Sequence, residues 1–236
     1  MTEAGGRSGT GPLADRAIRS DRLFVFARHA ESAANVARVL SGDPARPVEL
    51  TAAGRAQAHA LGVQLAGLDV DLAVATRFLR TRQTVDVALA GRHVPRLIEP
   101  RFDELDVGDL DGAPIEDYWQ WKEHHAPGER FPHGESIDQT LVRHSKGLRR
   151  LLARPERVVF VVLHEFALRR IVDVAAGPIA REDETPANAV PYLFDHAAVM
   201  RAAEGLDDLA DGLDRNRAPR SVRTPGYSGV PASIQR

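Results

Sequence analysis

A chain of 236 residues with 43% hydrophobic and 27% charged residues has the composition of a globular protein with a full core. Its formal net charge of −2 offers no concentrated basic face for nucleic acid, and with no Cys there is no disulfide framework, thiol nucleophile or thiolate-bound metal. The longest strongly apolar run, Val158–Leu163, is far too short to span a bilayer, and the N-terminal stretch lacks the apolar segment of a secretory signal, so a cytoplasmic protein is expected.

Residues 1–21 are rich in Gly, Ser and Arg and read as a disordered arm, residues 22–203 as one domain, and residues 204–236 as a low-complexity, disordered tail. Leu23–Arg28 is strand-like, with a turn or helix start at Ser32. Thr51 opens a helix whose Gly54, Ala58, Leu61 and Leu65 share a face. Asp71–Ala75 is a second strand, and Thr76 is placed to cap the helix that follows, which runs to Ala90. A short strand near Arg96–Ile98 precedes a Gly-, Asp- and Pro-rich segment. Pro114 then starts a short helix carrying Tyr118, Trp119 and Trp121. Ser136 caps a long helix to about Ala153, Val158–Leu163 is the most buried strand, and Phe166–Ala176 is helical. Val190–Phe194 and Ala197–Arg201, split by Asp195-His196, read as a terminal strand pair. Alternating strands and helices imply an α/β protein, a three-layer α/β/α sandwich on a mostly parallel sheet.

The first strand ends in Arg28-His29, which presents a guanidinium and an imidazole at the carboxyl edge of a sheet, where open α/β folds bind ligands. A guanidinium forks onto phosphate oxygens and a neutral imidazole can attack phosphorus. Arg92-His93 and Arg143-His144 are also Arg-His pairs, but one sits in a loop and the other within a helix. Val158–Leu163 ends in His164 with the same strand, His, helix-start order, so both imidazoles are expected in one crevice. Arg80 lies one turn into the helix after the second strand, on the face it shares with Thr76 and Thr84, where free backbone N–H groups also favour an anion.

These segments resemble the histidine phosphatase superfamily, also called the phosphoglycerate mutase-like family, over roughly Leu23 to Met200. Arg28-His29-Ala30-Glu31-Ser32 with Asn35 resembles its Arg-His-Gly-Glu-Ser/Thr-x-x-Asn opening. Leu50-Thr51-Ala52-Ala53-Gly54 with Gln57-Ala58 resembles Leu-Thr-x-x-Gly-x-x-Gln-Ala. Thr76 to Thr84 is similar to Ser-Pro-x-x-Arg-Ala-x-x-Thr. The stretch Phe102 to Gly112 is similar to the family's acid segment, with Glu104 at the acid position, and Pro132-His133-Gly134-Glu135-Ser136 is similar to Pro-Gly-Gly-Glu-Ser. By this resemblance the fold is phosphoglycerate mutase-like and His29 is the nucleophile that becomes transiently phosphorylated. Arg28, Arg80 and His164 clamp the phosphoryl oxygens, Asn35 assists, and Glu104 serves as general acid and then base. No metal and no cofactor is implied.

The sequence departs from the family pattern at Ala30, where Gly is usual, at Glu165-Phe166, where His164 is usually followed by Gly-Gly, at Arg77 for Pro, and at Asp111 for Glu. After Glu104 come Leu105-Asp106-Val107-Gly108, without the basic residue and Tyr of the mutases. The reading is therefore a phosphomonoesterase acting on a small phosphorylated metabolite. The alternatives are mutase-type phosphoryl transfer and a catalytically weak member that binds a phospho-ligand or a protein. Expected partners are a small phosphorylated substrate and phosphate or sulfate in the pocket, with no nucleic acid and no membrane; a homodimer is compatible with the sequence. Tyr118, Trp119 and Trp121 either line the mouth or simply pack, and Arg38, Arg46 and Asn188 are placed to reach the distal part of the substrate.

Overall fold

The computed structural model describes residues 22–176 and 185–212. The arm expected at 1–21 and the tail from 213 lie outside the described residues. Five strands, β1 (Leu23–Arg28), β2 (Leu72–Ala75), β3 (Arg96–Ile98), β4 (Val158–Leu163) and β5 (Pro191–Asp195), form one sheet in the order β3-β2-β4-β1-β5. All pairings are parallel except β1 with β5. Seven α-helices are found among the described residues: α1 (Ala33–Ala37), α2 (Ala52–Gln64), α3 (Leu79–Ala88), α4 (Ile115–His124), α5 (Ile137–Leu152), α6 (Glu165–Ala176) and α7 (His196–Ala210). No helix among the described residues is long and apolar enough to cross a membrane.

The central strands are apolar on both faces, as buried parallel strands must be. Phe24, Phe26, Val159 and Val161 pack with Leu148, Leu168, Ile171 and Val199 of α5, α6 and α7. Val25, Ala27, Phe160 and Val162 pack with Ala58, Leu61 and Val85 of α2 and α3 on the other side. The result is the expected α/β/α sandwich. Thr51 caps α2 by accepting from the Gly54 N–H, and Ser136 caps α5 by accepting from Gln139. Gly54 is required by close approach, because a Cβ there would lie 2.0 Å from the Glu31 carbonyl oxygen.

Two expectations near the C-terminal end are corrected. Only the first half of the anticipated strand pair is extended; Ala197–Arg201 lies in α7, where the Asp195 carboxylate accepts from Ala198 N–H at 2.7 Å. Val199, Ala202, Ala203 and Leu206 recur at helical spacing and are all buried, and the Ala-rich segment favours helix over strand. The tail boundary expected at residue 204 thus falls inside a core helix that runs to Ala210. The N-cap of α3 is Phe78 and not Thr76, whose hydroxyl is used elsewhere.

The register of the two central strands positions the chemistry. Arg28 stands opposite Leu163, and the His29 N–H donates to the Leu163 carbonyl at 2.9 Å. His29 and His164 therefore leave the sheet side by side at its carboxyl edge.

Candidate active site

His29 is buried, and its Nδ1 lies 2.8 Å from the Ala30 carbonyl oxygen. A carbonyl can only accept, so Nδ1 carries the proton and the lone pair of the neutral ring is on Nε2. That atom accepts from Arg80 Nε at 3.1 Å. Ala30 causes no backbone strain: the non-glycine residues with positive φ among those described are Arg38, His133 and Ala189. The Ala30 N–H donates to Thr84 Oγ1 at 3.0 Å, and Asn188 Nδ2 donates to the His29 carbonyl at 2.7 Å, so the turn after β1 is held from two sides. Asn188, placed from sequence toward the distal part of the substrate, is thus engaged through its amide nitrogen in supporting the backbone of His29.

Arg80 is the centre of the cluster. Nη2 reaches His164 Nδ1 at 3.1 Å, and Nη1 and Nη2 donate to the Ser41 hydroxyl and carbonyl, each at 3.0 Å. A single guanidinium thus bonds to both imidazoles, whose centroids are 5.4 Å apart. Its Cζ also lies 4.3 Å from the Phe78 ring centroid. Because Arg80 can only donate, neutral His164 has its lone pair on Nδ1 and its proton on Nε2. The Nε2–H then donates to Thr76 Oγ1 at 2.9 Å, Thr76 donates to Thr81 Oγ1 at 2.8 Å, and Thr81 donates to the Phe78 carbonyl at 2.9 Å. This chain of hydroxyls fixes the tautomer of His164. Thr76, Thr81 and Ser41 are site residues that the sequence reading did not assign; a buried guanidinium demands acceptors, but a motif does not say which loop supplies them.

Glu104 approaches from the segment before α4, with its Oε2 3.9 Å from His164 Nδ1 and its side chain 21% exposed. The segment is clamped from α5: Arg143 donates to the carbonyls of Arg101, Asp103 and Glu104, and His144 Nε2 bonds to the Asp103 carbonyl at 3.1 Å. Arg143-His144, set apart in the sequence because it lies within a helix, is therefore the hold on the carboxyl-bearing loop. Arg77 pairs with Asp103 at 2.5 Å, so its charge is spent beside Glu104.

Arg28 contributes differently. Nη1 donates to the Pro186 carbonyl at 3.1 Å, Nη2 pairs with Glu165 at 2.8 Å, and the buried Nε has no hydrogen-bond partner among the described residues. Asn35 is engaged at the start of α1, where its Oδ1 accepts from the N–H and the hydroxyl of Ser32, both at 3.0 Å. Glu31 and Gln57 are scaffold: Thr51 donates to the Glu31 carboxylate at 2.6 Å, and the Glu31 N–H donates to Gln57 Oε1 at 2.9 Å.

Burial, followed by the guanidiniums of Arg80 and Arg28, holds His29 well below the usual imidazole value. Burial and then Arg80 do the same for His164. Burial also brings Arg80 down to about 10. Glu104 moves the other way: burial raises its carboxyl above the usual value and Glu165 adds to the rise, against the opposing pull of Arg80. The cleft thus combines neutral imidazoles with a carboxyl group inclined to keep its proton.

The aromatic segment divides its roles. Tyr118 and Trp121 stack on Phe131, with centroids at 5.9 and 3.8 Å, in a small third core, whereas Trp119 is 51% exposed. Arg38 pairs with Glu116 at 2.5 Å and Arg46 with Asp111 at 2.8 Å, so neither presents an unpaired charge to a distal substrate group.

The comparisons with known proteins agree with this geometry. The histidine phosphatase superfamily (branch 1) matches residues 24–185. The chain is 31% identical over 174 residues to a 2,3-bisphosphoglycerate-dependent phosphoglycerate mutase of Methylobacterium sp. strain 4-46, covering 66% of this chain and 82% of the relative. It is 26% identical over 151 residues to the uncharacterized phosphatase PhoE of Bacillus subtilis strain 168, covering 64% and 75%. The solved structure of the alpha-ribazole phosphatase from Shigella flexneri superposes with a TM-score of 0.57 at 25% identity, covering 66% of this chain and 80% of that one. With two strand-end histidines bridged by one buried arginine, and with this match over most of its described length, the chain belongs to the histidine phosphatase superfamily.

Proposed function

We propose that this protein is a phosphomonoesterase of small phosphorylated metabolites that works through a phosphohistidine on His29. The reading rests above all on Arg80 bonding to both imidazoles while Nδ1 of His29 is held by the Ala30 carbonyl, which aims an unprotonated Nε2 at the place where Arg80 would grip a phosphoryl group. In the first step Nε2 bonds to phosphorus, the P–O ester bond breaks, and the Glu104 carboxyl gives its proton to the departing alkoxide. In the second step the Glu104 carboxylate takes a proton from water, the water oxygen bonds to phosphorus, and the P–N bond returns its electrons to Nε2. Arg28 and Arg80 hold the phosphoryl oxygens, and His164 joins them by taking a proton on Nδ1 as the phosphate arrives, which makes that atom a donor; Asn35, whose carbonyl oxygen is occupied, has its amide nitrogen for this purpose. Such transfer depends mainly on positioning and charge, which this set supplies without a metal or cofactor. A cytoplasmic setting is part of the same reading.

Hydrolysis is preferred to mutase-type transfer because the Glu104 side chain is partly exposed, so water has a path to it, and because the segment after it lacks the basic residue and Tyr of the mutases. The likeness to a phosphoglycerate mutase supports the second reading, in which the phosphoryl group returns to the bound sugar acid. Turnover of p-nitrophenyl phosphate measured beside isomerisation of 3-phosphoglycerate tests the choice. Hydrolysis without isomerisation is expected; isomerisation without hydrolysis would overturn it.

A further inference from the structure

We propose that Glu165 competes with the phosphoryl group for Arg28: its carboxylate holds this guanidinium in the free protein, leaves it when a phosphoryl group binds, and returns to it as inorganic phosphate departs. This deepens the phosphomonoesterase reading and rests on the part of it that assigns Arg28 to the phosphoryl oxygens. The two residues meet because of the sheet register. Arg28 closes β1 opposite Leu163 of β4, and Glu165 opens α6 directly after His164. Its carboxylate lies 2.8 Å from Arg28 Nη2, while Nη1 donates to the Pro186 carbonyl at 3.1 Å. Nε is buried and has no hydrogen-bond partner among the described residues. Nη2 is therefore the nitrogen at which Arg28 meets an anion.

A phosphoryl oxygen gripped by Arg28 comes onto Nη2 or directly beside it. If the carboxylate stayed, two anions would stand about 4 Å apart, where like charge costs about one to three orders of magnitude in affinity. Leaving is easy by comparison. The carboxylate is 37% exposed, Arg28 is its ion-pair partner among the described residues, and a pair in this much contact with water is weak. Glu165 stands in the first turn of α6, and rotation about its own side-chain bonds carries it into water. Lys122 and Arg170 keep positive charge on the neighbouring wall around Tyr118, so the effect asked of Glu165 lies in its contact with Arg28 and not in the net charge of the cleft. Because the pair must open first, affinity for an arriving phosphate is reduced by the fraction of time that Arg28 is held. The reduction weighs most on inorganic phosphate, which is gripped by the phosphoryl-binding residues and by nothing else.

Calorimetry with inorganic phosphate tests this in wild type, Glu165→Gln, Glu165→Ala, Arg28→Ala and the double variant that joins Arg28→Ala to Glu165→Gln. Gln and Ala at position 165 should each tighten the dissociation constant about tenfold, and inhibition of p-nitrophenyl phosphate turnover by phosphate should sharpen to match. In the Arg28→Ala background the Gln substitution should change the constant by less than about twofold. A carboxylate acting only through its field, or only on the fold, would give the same factor with and without Arg28. A crystal structure with phosphate should show the Glu165 carboxylate moved off Arg28 Nη2. Phosphate affinity unchanged or weakened in both the Gln and the Ala variant, an equal gain in the two backgrounds, or phosphate on Arg28 with the Glu165 pair intact overturns the inference. Absence of phosphate binding in every variant overturns it as well. Absence of p-nitrophenyl phosphate hydrolysis by wild type would instead overturn the phosphomonoesterase reading, and the phosphate constants would still decide the role of Glu165.

Discussion

Arg80 and Arg28 border the same cleft but are supported in opposite ways. Arg80 comes from the first turn of α3, is almost wholly buried, and spends its donors on two imidazoles and on Ser41 without meeting a carboxylate at hydrogen-bond distance. Arg28 is the last residue of β1, keeps partial contact with solvent, and is matched by a carboxylate and a carbonyl. A guanidinium that is buried without a counter-ion lacks charge compensation until an anion arrives, so on the proposed reading Arg80 should be the stronger phosphoryl ligand. One already paired gains less from the same anion. The difference teaches that two arginines read as equivalent in a motif can be assigned unequal work by their neighbours.

The largest effect should follow from breaking the stronger partner. Arg80→Ala removes the guanidinium that bonds to both imidazoles and should lower kcat/KM for p-nitrophenyl phosphate by about 10³-fold or more. Glu104→Gln should cost on the order of 10²-fold with this good leaving group and more with an alkyl ester, and it should change the pH profile. The sign is fixed by the two shifts: His29, lowered, remains an unprotonated nucleophile into mildly acid solution, and Glu104, raised, loses its proton as pH increases. Activity should therefore peak on the acid side and decline as pH rises, and the Gln variant should lack that decline. Arg28→Ala, in contrast with Arg80→Ala, should cost only about 10- to 100-fold in kcat/KM. The smallest loss, about five- to tenfold, is expected for Thr76→Val, which unties the His164 tautomer without touching substrate. Thr76→Ser should restore activity, and a Val variant with unaltered kcat and pH profile would show that the hydroxyl chain is idle.

A further consequence concerns stability. His29, His144 and His164 are buried and neutral, each with its value lowered, that of His144 to about 3 by burial and then Arg143. A lowered folded value means that the unfolded chain binds the extra protons once pH falls below about 6.5, so stability is present above that pH and is lost as pH falls. Thermal unfolding followed from pH 7 downward should show a midpoint that drops progressively.

Much of the fold was legible because the strands speak clearly. The bounds of β1 and β4 follow from apolar runs ending in a polar His, and the caps at Thr51 and Ser136 follow from hydroxyls set before helical periodicity. The meeting of His29 with His164 was legible because both occupy the same place after parallel strands in register. The segment after Asp195 was not, since the short apolar run Ala197-Ala198-Val199-Met200 fits either period until tertiary packing decides, and here the face of Val199, Ala202 and Leu206 found a partner in α5 and α6. Nor could the supports be read in advance. Ser41, Thr81 and Arg143 act across 39 or more residues in some contacts and five in others, and nothing in their local sequence marks them. Glu165 stood out as an intruder beside phosphate, but only coordinates showed that Arg28 takes it up.

The nucleophilic role of His29 is tested most directly by trapping the enzyme during turnover of a 32P-labelled phosphomonoester and mapping the label. Label on Nε2 of His29, lost in His29→Ala and strongly diminished in Arg80→Ala, is the expected result. Label on another residue, or steady turnover with undiminished rate in His29→Ala, would contradict the account.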